Sequence, residues 1–318
     1  MQNEIIYFLK QAQGYISGED ISRELKISRS AIWKYMQELR KDGYEILAVP
    51  HLGYQLKSAP DKLLAQEILF GLKTKTMGQR IFHHETLTST MDTAFRLAVE
   101  GEKEGALVVC EGQTKGKGRL GRSWSSPKGK GIYASIILRP QLSPVQVSQL
   151  TLLTAVAVCD ALRCATKIPV TIKWPNDILI NDKKVAGILT ELSAEMDRVR
   201  FVVVGLGVNV NTPLNSLPET ATSLKHVAQK QFDRVRLLQE VLVKFEHWYE
   251  SYKHQGFAHV IVQWKKFSLM LGKRVRISDQ GGTVEGEAID LDESGGLIVQ
   301  SGNGSMIKCI SGDVIPLR

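Results

Sequence analysis

The chain is poor in cysteine, and none of its cysteines sits in a metal-binding or redox pattern. Cys110, Cys159, Cys164 and Cys309 form no CxxC pair, and no His lies at ligand spacing from them. They read as reduced, mostly buried residues of a cytoplasmic protein, with no bound metal expected. The N-terminus lacks the basic stretch and apolar core of a secretion signal. The most apolar run, residues 150–162, is interrupted by Asp160 and is too short to span a bilayer, so no membrane partner is expected. Several catalytic motifs are missing too. GKGRLGRS does not have Walker A spacing, VVVGLGVNV (202–210) ends on Val210 where the dinucleotide fingerprint needs glycine, and neither GxSxG nor HExxH occurs.

One absence is local. No Asp or Glu occurs between residues 112 and 159. Within that stretch Lys115, Lys117, Arg119, Arg122, Lys128 and Lys130 are interleaved with glycines at 116, 118, 121, 129 and 131. Strand-like segments at 106–110 and 132–138 flank the run, so it reads as a loop between strands. Glycines allow its backbone amides to approach an anion closely, and its cations would attract one. A solvated surface loop is the plain alternative. The formal charge of +8 favours polyanionic partners, nucleic acid or phosphorylated ligands.

The 318 residues suffice for two or three domains. Residues 4–11 show helical periodicity. Ser17 stands before Asp20 with capping-box spacing and opens a second helix through Leu25. Ser28 can cap a third helix that runs to Asp42 and stops at Gly43. On it Ile32, Met36 and Leu39 share one face, and Arg29, Ser30, Trp33, Lys34 and Gln37 share the other. With Ser28 these six residues form the candidate DNA-binding surface of a helix-turn-helix over about 18–37. The segments 44–49 and 54–57, joined by Pro50–Gly53, predict a hairpin wing.

A linker-like junction at 59–61 precedes a helix expected near 62–72 and a polar, loose segment at 73–79. A mixed α/β pattern follows, with strands at 81–85, 106–110, 132–138, 170–174, 178–180, 185–192 and 200–208. Helices are expected at 91–100, 145–165, 234–253 and 257–267. Short strands with Gly-rich turns at 280–282, 294–296 and 302–304 close the chain as a small β-barrel. Expected domain bounds are 1–60, 61–270 and 271–318.

Four groups of residues can carry chemistry. Trp124, behind the cations, could stack on a base or simply pack in the core. Asn176 and Asp177, after Lys173-Trp174-Pro175, could orient a nucleotide or its Mg²⁺, or merely cap a turn. Lys184 opens the strand beyond that turn. Ser89 and Thr90 precede a helix, where they could cap it or hold a ligand.

In order and at sensible spacing, these segments resemble the biotin–protein ligases. Gly116-Lys117-Gly118-Arg119-Leu120-Gly121-Arg122 with Trp124 is similar to the family's GRGRxGR-W loop, and KWPND (173–177), KVAGIL (184–189) and GLGVN (205–209) are similar to its remaining core motifs. The N-terminal domain resembles that of the bifunctional subtype, which also represses biotin-synthesis genes. The resemblance implies an α+β protein: a winged helix-turn-helix, a central mixed β-sheet with helices of the class II synthetase-like type, and an SH3-like barrel. It implies ATP-dependent formation of biotinyl-5′-AMP from biotin and Mg·ATP, then transfer of biotin to a lysine of the biotin carboxyl carrier protein. Biotinyl-5′-AMP would also be corepressor, driving a homodimer onto operator DNA.

By the same resemblance, biotin would meet Ser89, Thr90, Gln113, Lys117, Gly118, Arg119 and Lys184. Catalysis would rest on Lys184, Arg119 and Lys117, and the nucleotide on Arg122, Trp124, Asn176, Asp177 and Asn209. Two positions depart from the family pattern. Lys117 stands where Arg is usual, and Thr88-Ser89-Thr90-Met91 where the family has Asp-Ser-Thr-Asn. A lipoate-type ligase and a non-enzymatic biotin sensor are the competing readings.

Overall fold

The structure is a computed structural model that describes residues 1–279 and 282–317. Gln280 and Gly281 of the first Gly-rich turn, and Arg318 of the last domain, lie outside the described residues. The chain divides into two compact units, Met1–Gly71 and Leu72–Arg318.

The first unit packs three helices, α1 (Gln2–Gln11), α2 (Gly18–Leu25) and α3 (Arg29–Lys41), with the hairpin β1 (Glu45–Val49) and β2 (Gly53–Ser58). Ser17 accepts from the Asp20 amide and Ser28 from the Ala31 amide, each cap contributing about 1 kcal/mol. Ile5, Ile6, Leu9, Ile21, Ile32, Met36 and Leu39 form the core with Tyr44 and Ile46. The helix expected over 62–72 is only the single turn α4 (Ala65–Leu69). Its Glu67 is drawn inward, accepting from Lys10 Nζ at 2.6 Å and Tyr44 Oη at 2.6 Å. This pair of contacts fixes α4 in the first unit. Burial and the neighbouring Glu67 carboxylate push the Tyr44 phenol far above its usual range, so it stays a donor.

The second unit is built on a seven-stranded mixed sheet. Its strands are β3 (Ile81–Leu87), β4 (Leu107–Gln113), β5 (Ile132–Leu138), β6 (Thr171–Lys173), β7 (Asp177–Ile180), β8 (Lys183–Glu195) and β9 (Arg198–Val208), in spatial order 3-4-5-9-8-7-6. Only β3 and β4 pair in parallel. Helices α5 (Thr90–Val99), α6 (Val147–Thr166), α7 (Leu224–Ala228), α8 (Arg234–Gln255) and α9 (Ala258–Phe267) complete the body. Helix α6 is long and apolar enough to cross a membrane by composition, but most of it is buried against α8, α9 and β8. Strands β10 (Arg274–Asp279), β11 (Gly282–Leu291), β12 (Leu297–Gln300), β13 (Met306–Cys309) and β14 (Asp313–Pro316) form an antiparallel sheet in order 13-12-11-10-14.

Residues 73–79 have no regular structure, yet they are not loose. Glu246 on α8 accepts from the amides of Lys75, Thr76 and Met77 at 2.7–2.9 Å, and Met77 is fully buried. A distant carboxylate supplies what local sequence does not. Nearer the basic loop, Glu111 on β4 and Arg234 on α8 form a buried ion pair at 2.9 Å. Arg234 also donates to the carbonyl of Gly131, where the loop ends. Glu111→Gln preserves shape but removes the charge that faces the buried guanidinium, and should lower unfolding free energy in urea by about 3 kcal/mol.

Candidate functional site

The expected loop is an ordered hairpin rather than a featureless run. Gly116 and Trp124 share a hydrogen bond of 2.8 Å, Lys117 bridges to Ser123, and the Gly118 amide donates to the Arg122 carbonyl at 2.7 Å. Leu120 and Gly121, with φ of 55° and 73°, turn the tip. Gly116 is required there, because a Cβ would meet the Trp124 carbonyl oxygen at 2.5 Å.

Each of three hairpin cations has a partner on a different element. Lys117 donates to Asp92 on α5. Arg119 donates to Asn176 Oδ1 at 2.9 Å, at the start of the β7 hairpin. Arg122 donates to both oxygens of Asp313 on β14, Nη1 reaching Oδ1 at 3.1 Å. The Asp92 hydrogen bond raises the Lys117 pKa, and the Asp313 hydrogen bond does the same for Arg122. Arg119 is different: burial pushes its guanidinium down, against the opposing fields of Asp313 and Asp177. A desolvated guanidinium is one whose field an incoming anion feels strongly.

Behind the hairpin lie two adjoining cavities. The first holds Ser89, Thr90, Gln113, Lys117, Gly118, Arg119, Asn176 and Lys184. The second holds Arg122, Asp177, Lys184 and Asn209. Trp124 and Lys184 belong to both and so form the partition. All twelve expected ligand-contacting residues line one or both of these cavities. Asn176 lines the first, and its amide joins Arg119 to the Ile188 carbonyl at 2.8 Å.

The partition has a backbone cause. Gly187 on β8 faces Gly207 on β9, and the indole of Trp124 rests against both. A Cβ on Gly207 would come within 2.4 Å of the indole, and one on Gly187 within 3.0 Å. Lys184 Nζ stands 5.3 Å from the ring centroid and 2.6 Å from Asp177 Oδ1, an ion pair whose angles do not make a hydrogen bond. Its backbone is pinned to the 220–222 segment, accepting from Thr222 and donating to Thr220 at 2.9 Å.

The first cavity has a polar end and an apolar end. Ser89 caps α5, while Gln113 Oε1 accepts from the Thr90 amide at 2.8 Å and its Nε2 donates to Ser126 at 2.9 Å. Met91, Ile188, Leu189 and Leu206 line the other side. Met91 is packed over Gly205, where a Cβ would lie 2.4 Å from its sulfur. Asn209 and Trp124 both line the second cavity, and the buried Oδ1 of the one and Nε1 of the other have no hydrogen-bond partner among the described residues. One acceptor and one donor are therefore left unpaired beside this cavity.

Gly187 and Gly205 enter the sequence reading only inside motifs and Met91 only as a departure from the family pattern, while the 217–221 segment that lines the second cavity does not enter it. Glycines inside otherwise apolar strands are the available signal, since they mark close approach. On the first unit, Arg29, Ser30, Trp33 and Lys34 are exposed on α3 and Gln37 is half-buried. Trp33 is 60% exposed, too open for a core residue, and Arg29 is held by Glu19 at 2.8 Å. Ser28 caps the helix and contacts Ser30 at 2.9 Å.

Two outcomes follow from this geometry. Gly207→Ala should cost about 2 kcal/mol by overpacking, and most of that cost should vanish in a double-mutant cycle with Trp124→Ala, read by urea unfolding. The Arg122 hydrogen bond holds the Asp313 carboxyl below its ordinary range. The stability lost in Asp313→Asn should therefore be constant above the unfolded carboxyl value of about 3.9, and shrink as pH falls through the depressed folded value.

Comparison with known proteins matches residues 83–209 to the biotin/lipoate A/B protein ligase family, residues 1–55 to an HTH domain and residues 270–315 to the biotin protein ligase C terminal domain. The chain is 44% identical to the bifunctional ligase/repressor BirA of Bacillus subtilis, over 99% of this chain and 98% of that protein. It is 28% identical to the Escherichia coli protein of the same name, over 95% and 92% of the two chains. Among solved structures, a biotin protein ligase from Aquifex aeolicus in complex with biotin and ATP superposes with a TM-score of 0.65 at 31% identity, covering 76% of this chain and 99% of that one. The chain belongs to the biotin/lipoate A/B protein ligase family, among its bifunctional ligase/repressors.

Proposed function

We propose that the chain joins biotin to a lysine of the biotin carboxyl carrier protein at the expense of ATP, and represses transcription when it holds the intermediate. The observation that carries the ligase reading is the partition: two cavities share one wall, that wall bears the Lys184 ammonium, and the Arg119 guanidinium lines the first cavity. Biotin occupies the first cavity, its ring system against Ser89, Thr90 and Gln113 and its carboxylate toward Lys117, Gly118 and Arg119. Mg·ATP occupies the second as co-substrate, its adenine toward Trp124 and Asn209.

The chemistry at the partition is attack of one anion on another. A biotin carboxylate oxygen bonds to the α-phosphorus, the bond from that phosphorus to the pyrophosphate oxygen breaks, and biotinyl-5′-AMP remains. Lys184 and Arg119 offset the repulsion between the reactants and the charge that develops on the phosphoryl oxygens. In the second step the carrier lysine, as free amine, bonds to the acyl carbon. The acyl–oxygen bond to AMP breaks, and the amine proton leaves to solvent. No protein nucleophile is needed, consistent with the missing nucleophile motifs.

The repressor half rests on the exposed face of α3, where Arg29, Ser30, Trp33, Lys34 and Gln37 would enter the major groove, with Ser28 at the helix start. The reader belongs to the first unit, which runs past the expected bound at 60 to Gly71 and includes α4, and the ligase and barrel belong to the second. A homodimer formed with biotinyl-5′-AMP bound would read two half-sites, in the cytoplasm, where carrier protein and operator DNA are both present. Wild-type protein with biotin and Mg·ATP should label a carrier domain, and Lys184→Ala should reduce the rate by at least about a hundredfold. Labelling at an undiminished rate in that variant would remove Lys184 from the mechanism.

A further inference from the structure

An acyl-adenylate is useful to a two-step ligase only if it stays bound until the acceptor lysine arrives. On the ligase reading above, the fastening of the hairpin over the first cavity decides how long that is. Lys117 is the hairpin residue that reaches both walls of this cavity. Its ammonium is hydrogen-bonded to Asp92 in the first turn of α5 and lies 4.0 Å from Glu191 Oε1 on β8.

Those two carboxylates sit directly behind the cavity's own lining. Asp92 follows Ser89, Thr90 and Met91, which line it from α5, and Glu191 follows Leu189, which lines it from β8. Neither carboxylate lines the first or second cavity itself. Their reach to a ligand is therefore through Lys117. A compact ammonium with three freely rotating donors can sit between carboxylates that share no plane, a geometry that suits lysine better than the planar fork of arginine. The Asp92 hydrogen bond also keeps Lys117 protonated. The partners are partly exposed, with side-chain exposures of 40%, 49% and 34% for Lys117, Asp92 and Glu191, so the contact can open and is screened by salt.

We propose that Asp92 and Glu191 are positioning residues that clasp the hairpin across the first cavity through Lys117, and so set the lifetime of the acyl-adenylate held beneath it. The inference rests on the ligase reading and adds to it a separate function, retention of the intermediate.

The test uses the full-length protein and the variants Asp92→Asn, Asp92→Glu, Glu191→Gln and Asp92→Asn/Glu191→Gln. Adenylate is formed from labelled biotin and Mg·ATP, freed of excess ligand, and its release followed during a chase with unlabelled biotin. Release should quicken by about fivefold in Asp92→Asn and further in the double variant, an effect of the size that one or two partly exposed ion pairs supply. Asp92→Glu should stay near wild type. The single-turnover rate of pyrophosphate formation should change by less than about twofold, which a general loss of structure would not allow. Added salt should speed release from wild type and leave the double variant unaffected. Unchanged release in both Asp92→Asn and the double variant overturns the clasp. Slower release, or tighter biotin binding, overturns it as well, because the carboxylates would then be holding Lys117 away from the ligand. Wild-type protein that forms no adenylate overturns the ligase reading, and the clasp falls with it. That result differs from adenylate that forms and leaves at one rate in every variant.

Discussion

The contact between Trp124 and the facing glycines Gly187 and Gly207 is the constraint on which the rest of the site depends. A large ring can lie against a sheet at that distance only where two neighbouring strands both omit a side chain. Once it lies there, its amide is bound to Gly116, which fixes the base of the hairpin, and its ring divides the space behind the hairpin in two. Lys184 then has one place to stand, between the ring face and Asp177. The partition, the loop and the ammonium are consequences of one packing arrangement on β8 and β9.

Charge balance explains how such a basic hairpin stays folded. Lys117, Arg119 and Arg122 lie within six residues, and no acid occurs nearby in the chain. Their partners come from elsewhere in the second unit: Asp92 from α5, Asn176 from the β7 hairpin, Asp313 from β14. Only Arg119, at the centre, donates to a neutral amide and is desolvated, with Asp313 and Asp177 acting on it from a distance. An anion in the cavity would be drawn there. Arg122 is a tether, Arg119 an attractor, and Lys117 is both held by Asp92 and part of the first cavity's lining.

Much of the architecture was legible in the sequence because local signals and burial agree. The caps at Ser17 and Ser28, the apolar face of α3 and the β-branched strands 132–138 and 200–208 announce elements that also bury those residues. The site was legible at residues whose type is unusual for its position: cations among glycines, a lysine opening a strand, an amide and carboxylate pair after a proline. Non-local partners were not legible. Nothing near residues 73–79 indicates that Glu246 will bind their amides, and nothing near Asn176 indicates that its amide will point at Arg119. The short reach of α4 is of the same kind, since Glu67 is claimed by Lys10 and Tyr44 from far along the chain.

The two-cavity account makes adenylate formation depend on both cavities being filled across the Trp124–Lys184 partition. Isotope exchange between pyrophosphate and ATP measures that step alone, without carrier protein or DNA. The account predicts exchange only when biotin is present, with lipoate unable to replace it. Exchange that proceeds without biotin, that lipoate supports equally, or that never occurs would contradict it.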